Sequence, residues 1–567
     1  MSKFNGVLVI FCFLVVLSIF TGVASAATWT VNPGDSIQSV VDNASDNDTV
    51  IINDDNGSAY TYSENVVVNK KLSIQAKNSS NVTVEAADPL NPVFRVNSGG
   101  SGSTIQGFSI TGSKFKYYGE GINSFGIYLN SANNCNIIEN LIFGNNYGIF
   151  VDGTSSNNTL QNNLITNNTY YGLEILGSDS NLVLNNSFAG NPYGIYLLSN
   201  SDNNTIQNNI ITNSTWYGLD VEGSDSNLVL NNSFVGNPYG IYLLSSSDNN
   251  TLQCNFITDS TWYGLDIVGS DCNLVLNNSL ISNPYDVALF SVNNTVVSGN
   301  VVTGSAYYGI YLSNSDSNFV QNNNVLNNTS IGISILNSNN NLIQNNSVTN
   351  NPTDIYLSSS SNNTIQANIV ENSTYYGLDV LSSDSNLVLN NSFVANPYGL
   401  SLFSANNTFI AGNMVTGSAY YGIYLSNSSN STIFENSIIN NSGDGVYLCG
   451  NSSANINFNR ITGNAMYGLY NDGSGTVDAT NNWWGTNNPV GIVGGVNYTP
   501  WLILNVSTTP TIVGSNGNST VTVDLSHNSQ GNDSSPSGSV PDGIPVNFTT
   551  DMGTVTRDRK STRLNSS

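Results

Sequence analysis

The chain has 567 residues, of which 9% are charged, and its formal net charge at pH 7 is −25. This length exceeds what one globular core needs, so it favours several domains or a solenoid. The negative charge excludes nucleic acid as a partner, because binding to phosphates requires a cationic patch.

The first 26 residues have the pattern of a secretory signal peptide. Lys3 gives a positive start, residues 7–20 are apolar, and Ala24, Ser25 and Ala26 form a small-residue cleavage site. The apolar stretch is short for a membrane span, although an uncleaved anchor stays open as the alternative. We therefore expect a secreted or cell-surface protein without a membrane span in its mature chain.

A short amphipathic helix is predicted next, with Asp35 or Ser36 as its N-cap. The apolar side chains at helical spacing are Ile37, Val40, Val41 and Ala44. Such a helix would cover the first edge of a stack of strands and block further pairing there.

The phrase N-x-φ-x-x-N-x-φ, in which φ is apolar, dominates the centre of the chain. Its second asparagine recurs from Asn140 to Asn459 in steps of 22 or 23 residues. Each unit holds short apolar pieces that alternate with period two, as strands do. One unit cannot bury its own apolar face, but stacked units can. The repeat predicts an all-β fold, a right-handed parallel β-helix with about 23 residues per coil, over residues 27–503.

The repeated asparagine has a structural explanation. Residues 23 apart would stack at the spacing of neighbouring strands, roughly 4.8 Å. Asparagine tolerates the left-handed turn conformation, and its amide can both donate and accept along a stack. We predict a structural asparagine ladder that includes Asn163, Asn186, Asn209, Asn232 and Asn255.

A column of carboxylates is predicted 16 residues after the ladder. It consists of Asp179, Asp202, Asp225, Asp248 and Asp271, and Asp316 and Asp384 continue it with Asn294, Asn339 and Asn362 between them. Stacked carboxylates repel each other, and Ca²⁺ would relieve this repulsion. The alternative is that the aspartates form Asx-turns in water. No cofactor is required by the sequence.

A second aromatic residue precedes the Tyr-Gly pair on alternate coils, at Tyr170, Trp216 and Trp262. Glu174, Asp220 and Asp266 follow on the same coils and are expected to point outward. Aromatic rows beside acids resemble sugar-binding surfaces, so these six residues form a hypothetical glycan-binding site. The alternatives are a stacked aromatic ladder and a solvated acidic face. The acids recur at roughly 9.6 Å, twice the strand spacing and near the separation in inverting glycosidases, so a hydrolase stays open as well.

The opening PGDSIQSVVDNASDNDTVII, the repeats and the closing NNWWG…PWL resemble right-handed parallel β-helix repeat proteins, a superfamily with pectate-lyase-like and NosD-like members. They are also similar to adhesin-like surface proteins of methanogenic archaea. The resemblance would imply a basic residue for lyase chemistry or a soft-metal site for copper. Neither is supported, because no lysine or arginine lies between Lys116 and Arg460, and His527 is the single histidine. We therefore expect a protein that is not an enzyme.

The C-terminal part contains three predicted features. Trp483, Trp484 and Trp501 are expected to plug the last coil, and residues 504–519 to form a linker. Residues 520–557 resemble the first strands of an invasin- or intimin-type bacterial Ig-like domain, which implies a truncated Ig-like β-sandwich. The final DRKSTRLNSS (558–567) reads as a translated sequencing adapter, so we interpret it as an artefact.

Together these features predict a monomeric, adhesin-like surface protein that binds an extracellular polysaccharide or another cell-surface ligand. A polysaccharide-active enzyme on the same fold is the alternative. N-x-Ser/Thr sequons are abundant, but the turn phrase generates them by itself, so the sequence permits glycosylation without showing it.

Overall fold

A computed structural model describes residues 26–79, 81–114, 124–549, 554 and 556. The chain forms a parallel β-solenoid of about 20 coils, which confirms the predicted fold class. Each coil contributes one short strand to each of three parallel sheets, here named sheets 1, 2 and 3 in the order in which a coil visits them. The predicted signal peptide and the DRKSTRLNSS tail lie outside the described residues.

Sheet 1 has 21 strands. They are Thr28–Val31, Thr49–Ile52, Ser73–Ala76, Thr104–Gln106, Asn136–Ile138, Thr159–Gln161, Leu182–Leu184, Thr205–Gln207, Leu228–Leu230, Thr251–Gln253, Leu274–Leu276, Val296–Ser298, Phe319–Gln321, Leu342–Gln344, Thr364–Gln366, Leu387–Leu389, Phe409–Ala411, Ser431–Phe434, Ala454–Asn457, Val477–Asp478 and Val496–Asn497.

Sheet 2 is built from equally short strands. They are Tyr60–Ser63, Val82–Glu85, Ser109–Thr111, Leu141–Phe143, Leu164–Thr166, Ser187–Ala189, Ile210–Thr212, Ser233–Val235, Phe256–Thr258, Ser279–Ile281, Val301–Thr303, Asn324–Leu326, Ser347–Thr349, Ile369–Glu371, Ser392–Val394, Met414–Thr416, Ser437–Ile439 and Arg460–Thr462.

Sheet 3 has longer strands, most of them with six residues. They are Val66–Val68, Phe94–Asn97, Phe125–Asn130, Tyr147–Asp152, Tyr171–Leu176, Tyr193–Leu198, Tyr217–Glu222, Tyr239–Leu244, Tyr263–Val268, Tyr285–Phe290, Tyr308–Ser313, Ile331–Leu336, Thr353–Ser358, Tyr376–Leu381, Tyr398–Phe403, Tyr421–Ser426, Asp444–Cys449, Leu469–Asn471 and Ile492–Gly494.

The core runs along the solenoid axis as columns of aliphatic side chains. In one coil, Ile206, Ile211 and Leu219 come from the three sheets and are fully buried. Each pairs in register with its counterpart on the next coil, as Ile206 does with Val229. Because strands alternate their side chains, the residues flanking each core position face outward.

Three turns per coil join the sheets: turn 1 between sheets 1 and 2, turn 2 between sheets 2 and 3, and turn 3 from sheet 3 to the next coil. Each turn has a residue with positive φ directly before an inward-pointing polar residue, such as Asn231 (φ 54°) before Asn232. Asparagine is the commonest non-glycine residue there because its short side chain tolerates this conformation.

A helix at Ile37–Asn43 covers the first coil, and a 3₁₀ turn spans Ser98–Gly100. Ser36 caps the helix by accepting the N–H of Ser39, and the carboxylate of Glu64 accepts the N–H of Ile37 at 2.8 Å. Ile37 and Val41 are buried against the solenoid. None of the helices in the described part of the chain is long and apolar enough to cross a membrane.

The other end is closed by aromatic side chains. Trp484 lies in the main core, and Trp483 packs with Phe458 and Leu502 in a second cluster. Beyond it, strands Leu502–Thr509 and Thr520–Asn528 form an antiparallel hairpin.

Two predictions concern the C-terminal region. Within the predicted linker 504–519, residues 504–509 belong to the strand Leu502–Thr509, and Leu502 and Leu504 on this strand pack into the second cluster. The predicted Ig-like sandwich is not seen among the described residues, where 520–528 pair with 502–509 and His527 forms an isolated bridge to Asp533. Val540 and Ile544 pack on the same cluster, and Arg460 donates to the carbonyl of Gly543 at 3.1 Å.

Candidate functional site

The outer surface of sheet 3 carries aromatic side chains, and acidic side chains lie buried among them. Its strands open with Tyr-Gly, and the glycine is required by close approach of the next coil. A Cβ on Gly218 would lie 2.6 Å from the carbonyl oxygen of Gly240 and 2.8 Å from the ring of Phe234. The preceding Tyr217 faces outward.

The tyrosines that open the strands stack along the solenoid axis. Ring centroids are 4.7 Å apart for Tyr171 and Tyr193, and 4.9 Å apart for Tyr217 and Tyr239. Three residues further along alternate strands a second tyrosine stacks on this column, as Tyr242 does on Tyr217 at 5.3 Å and 10°. The two columns form an aromatic cover that runs from Phe125 to Tyr311, is interrupted at Ile331 and Thr353, and resumes at Tyr376.

The acids Glu174, Asp220 and Asp266 lie beneath this cover, which corrects the expectation that they point into solvent. They start from the outer side of the strands, but their exposed fractions are 9%, 6% and 4%. The cause is their position between larger residues: Asp220 stands opposite Tyr196 on one neighbouring coil and Tyr242 on the other. The period-two alternation of side chains in a strand correctly predicts that these acids lie on the outer side of the sheet. It does not predict that side chains from the neighbouring coils bury them.

Burial controls the protonation of these acids. Loss of hydration raises the pKa of Glu174, Asp220 and Asp266 to about 7 each. One carboxyl oxygen of Asp220 and one of Asp266 are buried without a hydrogen-bond partner. The nearby Tyr196 hydroxyl donates instead to Glu222, at 2.7 Å. Burial therefore favours the protonated form of these carboxyl groups.

A row of exposed aromatic side chains borders the tyrosine cover along turn 2. The aromatic row consists of Tyr170, Trp216, Trp262, Tyr307, Tyr375 and Tyr420. Trp216 and Trp262 are each 58% exposed, whereas Tyr170 is half-buried and its ring lies 5.9 Å from that of Tyr147. The backbone N–H of Trp216 donates to the carbonyl of Pro192 on the preceding coil, and Trp262 does the same to Pro238, both at 3.0 Å.

The last three members of the aromatic row were not predicted from the sequence. Tyr307, Tyr375 and Tyr420 are exposed by 56%, 62% and 59%. The signal was present: each is the first of two aromatic residues before a glycine, as in SAYYG and STYYG. The row therefore continues along most of the array, with a member every two coils and one gap of three.

The aspartate column lies in turn 3, with a geometry that sequence did not predict. One carboxylate oxygen of each aspartate accepts the backbone N–H of the next, as Asp202 does from Asp225 at 2.7 Å. The same bond joins Asp179 to Asp202 and Asp248 to Asp271. The backbone N–H groups of each following coil thus stabilise the negative charge of the aspartate carboxylates. In the described part of the chain no three His, Cys, Asp or Glu side chains come together as a metal site.

The continuation of this column needs a correction. Asn293 and Ser361 occupy the places predicted for Asn294 and Asn362. The reason is that those coils have 22 residues, one fewer before the turn, which shifts the register.

The asparagine ladder is buried in turn 1. Asn232 Oδ1 accepts the backbone N–H of Asn209 at 2.9 Å and its Nδ2 at 3.0 Å. Asn232 in turn donates to Asn255 at 3.1 Å and to the carbonyl of Ile206 at 2.8 Å. The same bonds join Asn163 to Asn186. A parallel ladder runs in turn 2, for example between Asn145 and Asn168.

Family comparison agrees with this architecture. The right handed beta helix region family matches residues 93–257 and 352–484. The periplasmic copper-binding protein (NosD) family matches residues 236–375. A search of curated proteins found no match.

The solved structures that this chain resembles are distant in sequence. The catalytic domain of a GH87 alpha-1,3-glucanase D1068A, in complex with tetrasaccharides, is 16% identical, with a TM-score of 0.35; the alignment covers 64% of this chain and 64% of that domain. Pre-mature bacteriophage phi29 gene product 12 is 13% identical over 77% of this chain and 69% of its own, with a TM-score of 0.47. The PL6 family alginate lyase AlyGC is 11% identical over 84% and 100%, with a TM-score of 0.35.

Proposed function

We propose, from the premise that this chain belongs to the right-handed β-helix family, that it is a surface protein that binds an extended polysaccharide along sheet 3. The observation that carries the proposal is the aromatic row. Its members are exposed aromatic side chains at regular intervals on a rigid surface, and the regular row, more than any single exposed side chain, points to a ligand. Aromatic faces pack on the apolar faces of sugar rings without needing charge.

The spacing of the row fits a polymer. Trp216 and Trp262 are two coils apart, roughly 9.6 Å at the strand spacing, which is close to two sugar units of an extended chain. Successive contacts on one chain act as linked sites, so weak individual contacts add to a useful affinity.

Electrostatics favours a neutral polysaccharide over an anionic one. Between Lys116 and Arg460 the chain has acids but no lysine or arginine. A polyanion would approach a surface of its own sign without any counter-charge to bind. The proposed location is outside the cytoplasm, on the cell surface or secreted, which agrees with the similarity to a periplasmic family.

Retention on immobilised polysaccharides tests the proposal. Purified protein should be retained by a neutral polysaccharide within a panel of neutral and anionic ones, and Trp216→Ala with Trp262→Ala should abolish retention. Leu164→Ala is the matched control, since Leu164 is a similarly exposed apolar residue on sheet 2. Failure of every neutral polysaccharide to retain the wild type, or retention of the double variant, contradicts the proposal.

A second candidate is a polysaccharide-cleaving enzyme, favoured by the buried acids. A carboxyl group with a pKa of about 7, such as that of Glu174, can donate a proton at neutral pH, as a glycosidase acid must. Glu174 and Asp220 are two coils apart, roughly 9.6 Å, at the upper end of the inverting separation. The tyrosine cover separates both from solvent, so we place this function second. New reducing ends after incubation with a polysaccharide, lost in Glu174→Gln, would favour it.

A further inference from the structure

The residue with positive φ in each turn varies from coil to coil in a way that points to a modification. From residue 134 to residue 463, three columns of such positions, one in each turn, hold 44 residues directly before an inward-pointing residue; turn 3 has a second column as well, from Thr154 to Asn427. Asparagine, serine, glycine, cysteine and alanine all occupy these positions, so the backbone accepts several residues.

The identity of this residue depends on the residue two places later. In 17 of the 44 positions that later residue is serine or threonine, and asparagine then occupies the turn position 15 times. In the other 27 positions asparagine occurs 8 times. The two exceptions in the first group are Asp259 and Glu435. The coupling holds separately in each of these three columns, whereas in the second column of turn 3 Thr154 and Ser359 precede a serine two places later without asparagine at the turn position.

The fold itself gives no reason for this coupling. None of the 15 asparagines, all of which belong to the described residues, makes a side-chain hydrogen bond to the hydroxyl group two residues later; Asn430, for example, donates to Asn407 Oδ1 at 2.7 Å. The turn also keeps its positive φ when the asparagine is replaced, as at Cys254 and Gly299. The pair is the pattern Asn-x-Ser/Thr, the acceptor for N-linked glycosylation.

The geometry presents the acceptor asparagines to solvent. All 15 asparagines are exposed, and the middle residue points into the solenoid; the hydroxyl residue lies at the start of the next strand in turns 1 and 3 and lies two residues before it in turn 2. In turn 1 they are Asn185, Asn231, Asn277, Asn345 and Asn390. In turn 2 they are Asn167, Asn213, Asn327, Asn372 and Asn440. In turn 3 they are Asn157, Asn203, Asn249, Asn362 and Asn430.

Asn328 shows that the fold, and not the motif alone, selects the acceptors. It begins the sequon Asn328-Thr329-Ser330, but it is a ladder residue with an exposed fraction of 3%. Its Nδ2 donates to Asn351 Oδ1 at 2.9 Å, inside the solenoid. The neighbouring Asn327, one residue earlier, is exposed.

We propose that the 15 exposed turn asparagines are acceptor sites for N-linked glycans. In the transfer step the amide Nδ2 attacks the anomeric carbon of a sugar activated as a lipid-linked pyrophosphate. The N–C bond forms, the bond from the sugar to the pyrophosphate breaks, and the amide loses one proton. The product is a neutral glycosyl amide, and the lipid pyrophosphate leaves.

Glycans at these positions line the three edges of the solenoid and leave its faces open. Acceptors on alternate coils, such as Asn185 and Asn231, are roughly 9.6 Å apart, far enough for separate sugar chains to leave the surface side by side. In turn 2, Asn213 lies three residues before Trp216, so a glycan there borders the aromatic row. The inference stands independently of the polysaccharide-binding proposal.

Site mapping by mass spectrometry tests the proposal. The full chain is secreted from cells that N-glycosylate, cleaved after aromatic residues because lysine and arginine are absent from the array, and deglycosylated enzymatically in ¹⁸O-water. We expect the isotope label at more than half of the 15 turn asparagines and none at Asn328. A secreted glycoprotein from the same cells is the positive control.

Two substitutions make the test specific to position. Thr205→Ala should remove the label from Asn203 and from no other site. Asp259→Asn completes the pattern with Thr261 in an otherwise equivalent turn and should add one glycan to the intact mass. Label at fewer than half of the turn positions, label at Asn328, or an unchanged mass for Asp259→Asn would overturn the proposal.

Discussion

Replacement of Asn232 by leucine tests how the coils are joined. The change removes the acceptor for the backbone N–H and for one amide hydrogen of Asn209, and it removes the donor to the carbonyl of Ile206. All of these groups are buried, so water cannot replace the lost partners. A buried group without a partner costs about 1–3 kcal/mol, and at least two donors of Asn209 are affected. We expect a loss of about 2–6 kcal/mol of unfolding free energy.

The assay is denaturant unfolding combined with amide hydrogen exchange of protein without glycans. Exchange should accelerate most on the coils that contain Asn209 and Asn255, because a solenoid transmits a defect chiefly to neighbouring repeats. Asn231→Gly is the matched control: its neighbouring position is exposed and has positive φ, and glycine occupies the equivalent place at Gly299. Equal unfolding free energies for Asn232→Leu and the wild type would refute the reasoning.

Two further predictions concern the acids. The folded pKa of Asp220 is raised by burial to about 7, from an ordinary value of 3.8, so its contribution to stability is complete below about pH 4 and is lost as pH rises towards 7. Asp220→Asn should therefore flatten the fall of the thermal midpoint between pH 4.5 and 8 and gain up to about 4 kcal/mol at the alkaline end; an unchanged pH profile would contradict the burial effect. For the aspartate column, a chelator should lower the thermal midpoint if Ca²⁺ binds there, and changing Asp202, Asp225 and Asp248 to asparagine should remove that response while keeping the acceptors for backbone N–H groups. Identical midpoints with Ca²⁺ and with chelator would leave the backbone hydrogen bonds as the sole role of the column.

The fold could be predicted because a repeat multiplies every local signal. One coil with one or two core residues per strand is ambiguous, but the 23-residue register fixes which residues stack. The buried positions of Ile206 and Val229 follow directly from that register. The predicted Ig-like sandwich lacks such support, because residues 520–557 occur once; their strand Thr520–Asn528 pairs with Leu502–Thr509.

The sequence predicts on which side of the sheet the residues of the candidate site lie, but it does not predict how exposed they are to solvent. Alternation placed Asp220 on the outer side, but its burial depends on Tyr196 and Tyr242, which belong to other coils. The backbone N–H groups of Tyr307, Tyr375 and Tyr420 likewise donate to residues of the preceding coils, the carbonyls of Pro284, Pro352 and Pro397. Contacts between coils determine both the burial of Asp220 and the surroundings of these tyrosines. Such contacts follow only from the three-dimensional stacking of the coils.

The affinity of the protein for neutral oligosaccharides of increasing length is the measurement that tests the central claim most directly. If one polysaccharide chain lies along the aromatic row, the affinity measured by calorimetry should rise in steps, with each added disaccharide reaching the next aromatic side chain. Trp216→Ala with Trp262→Ala should remove the steps that correspond to these two residues. An affinity that does not depend on oligosaccharide length, or the same steps in the double variant, would contradict the account.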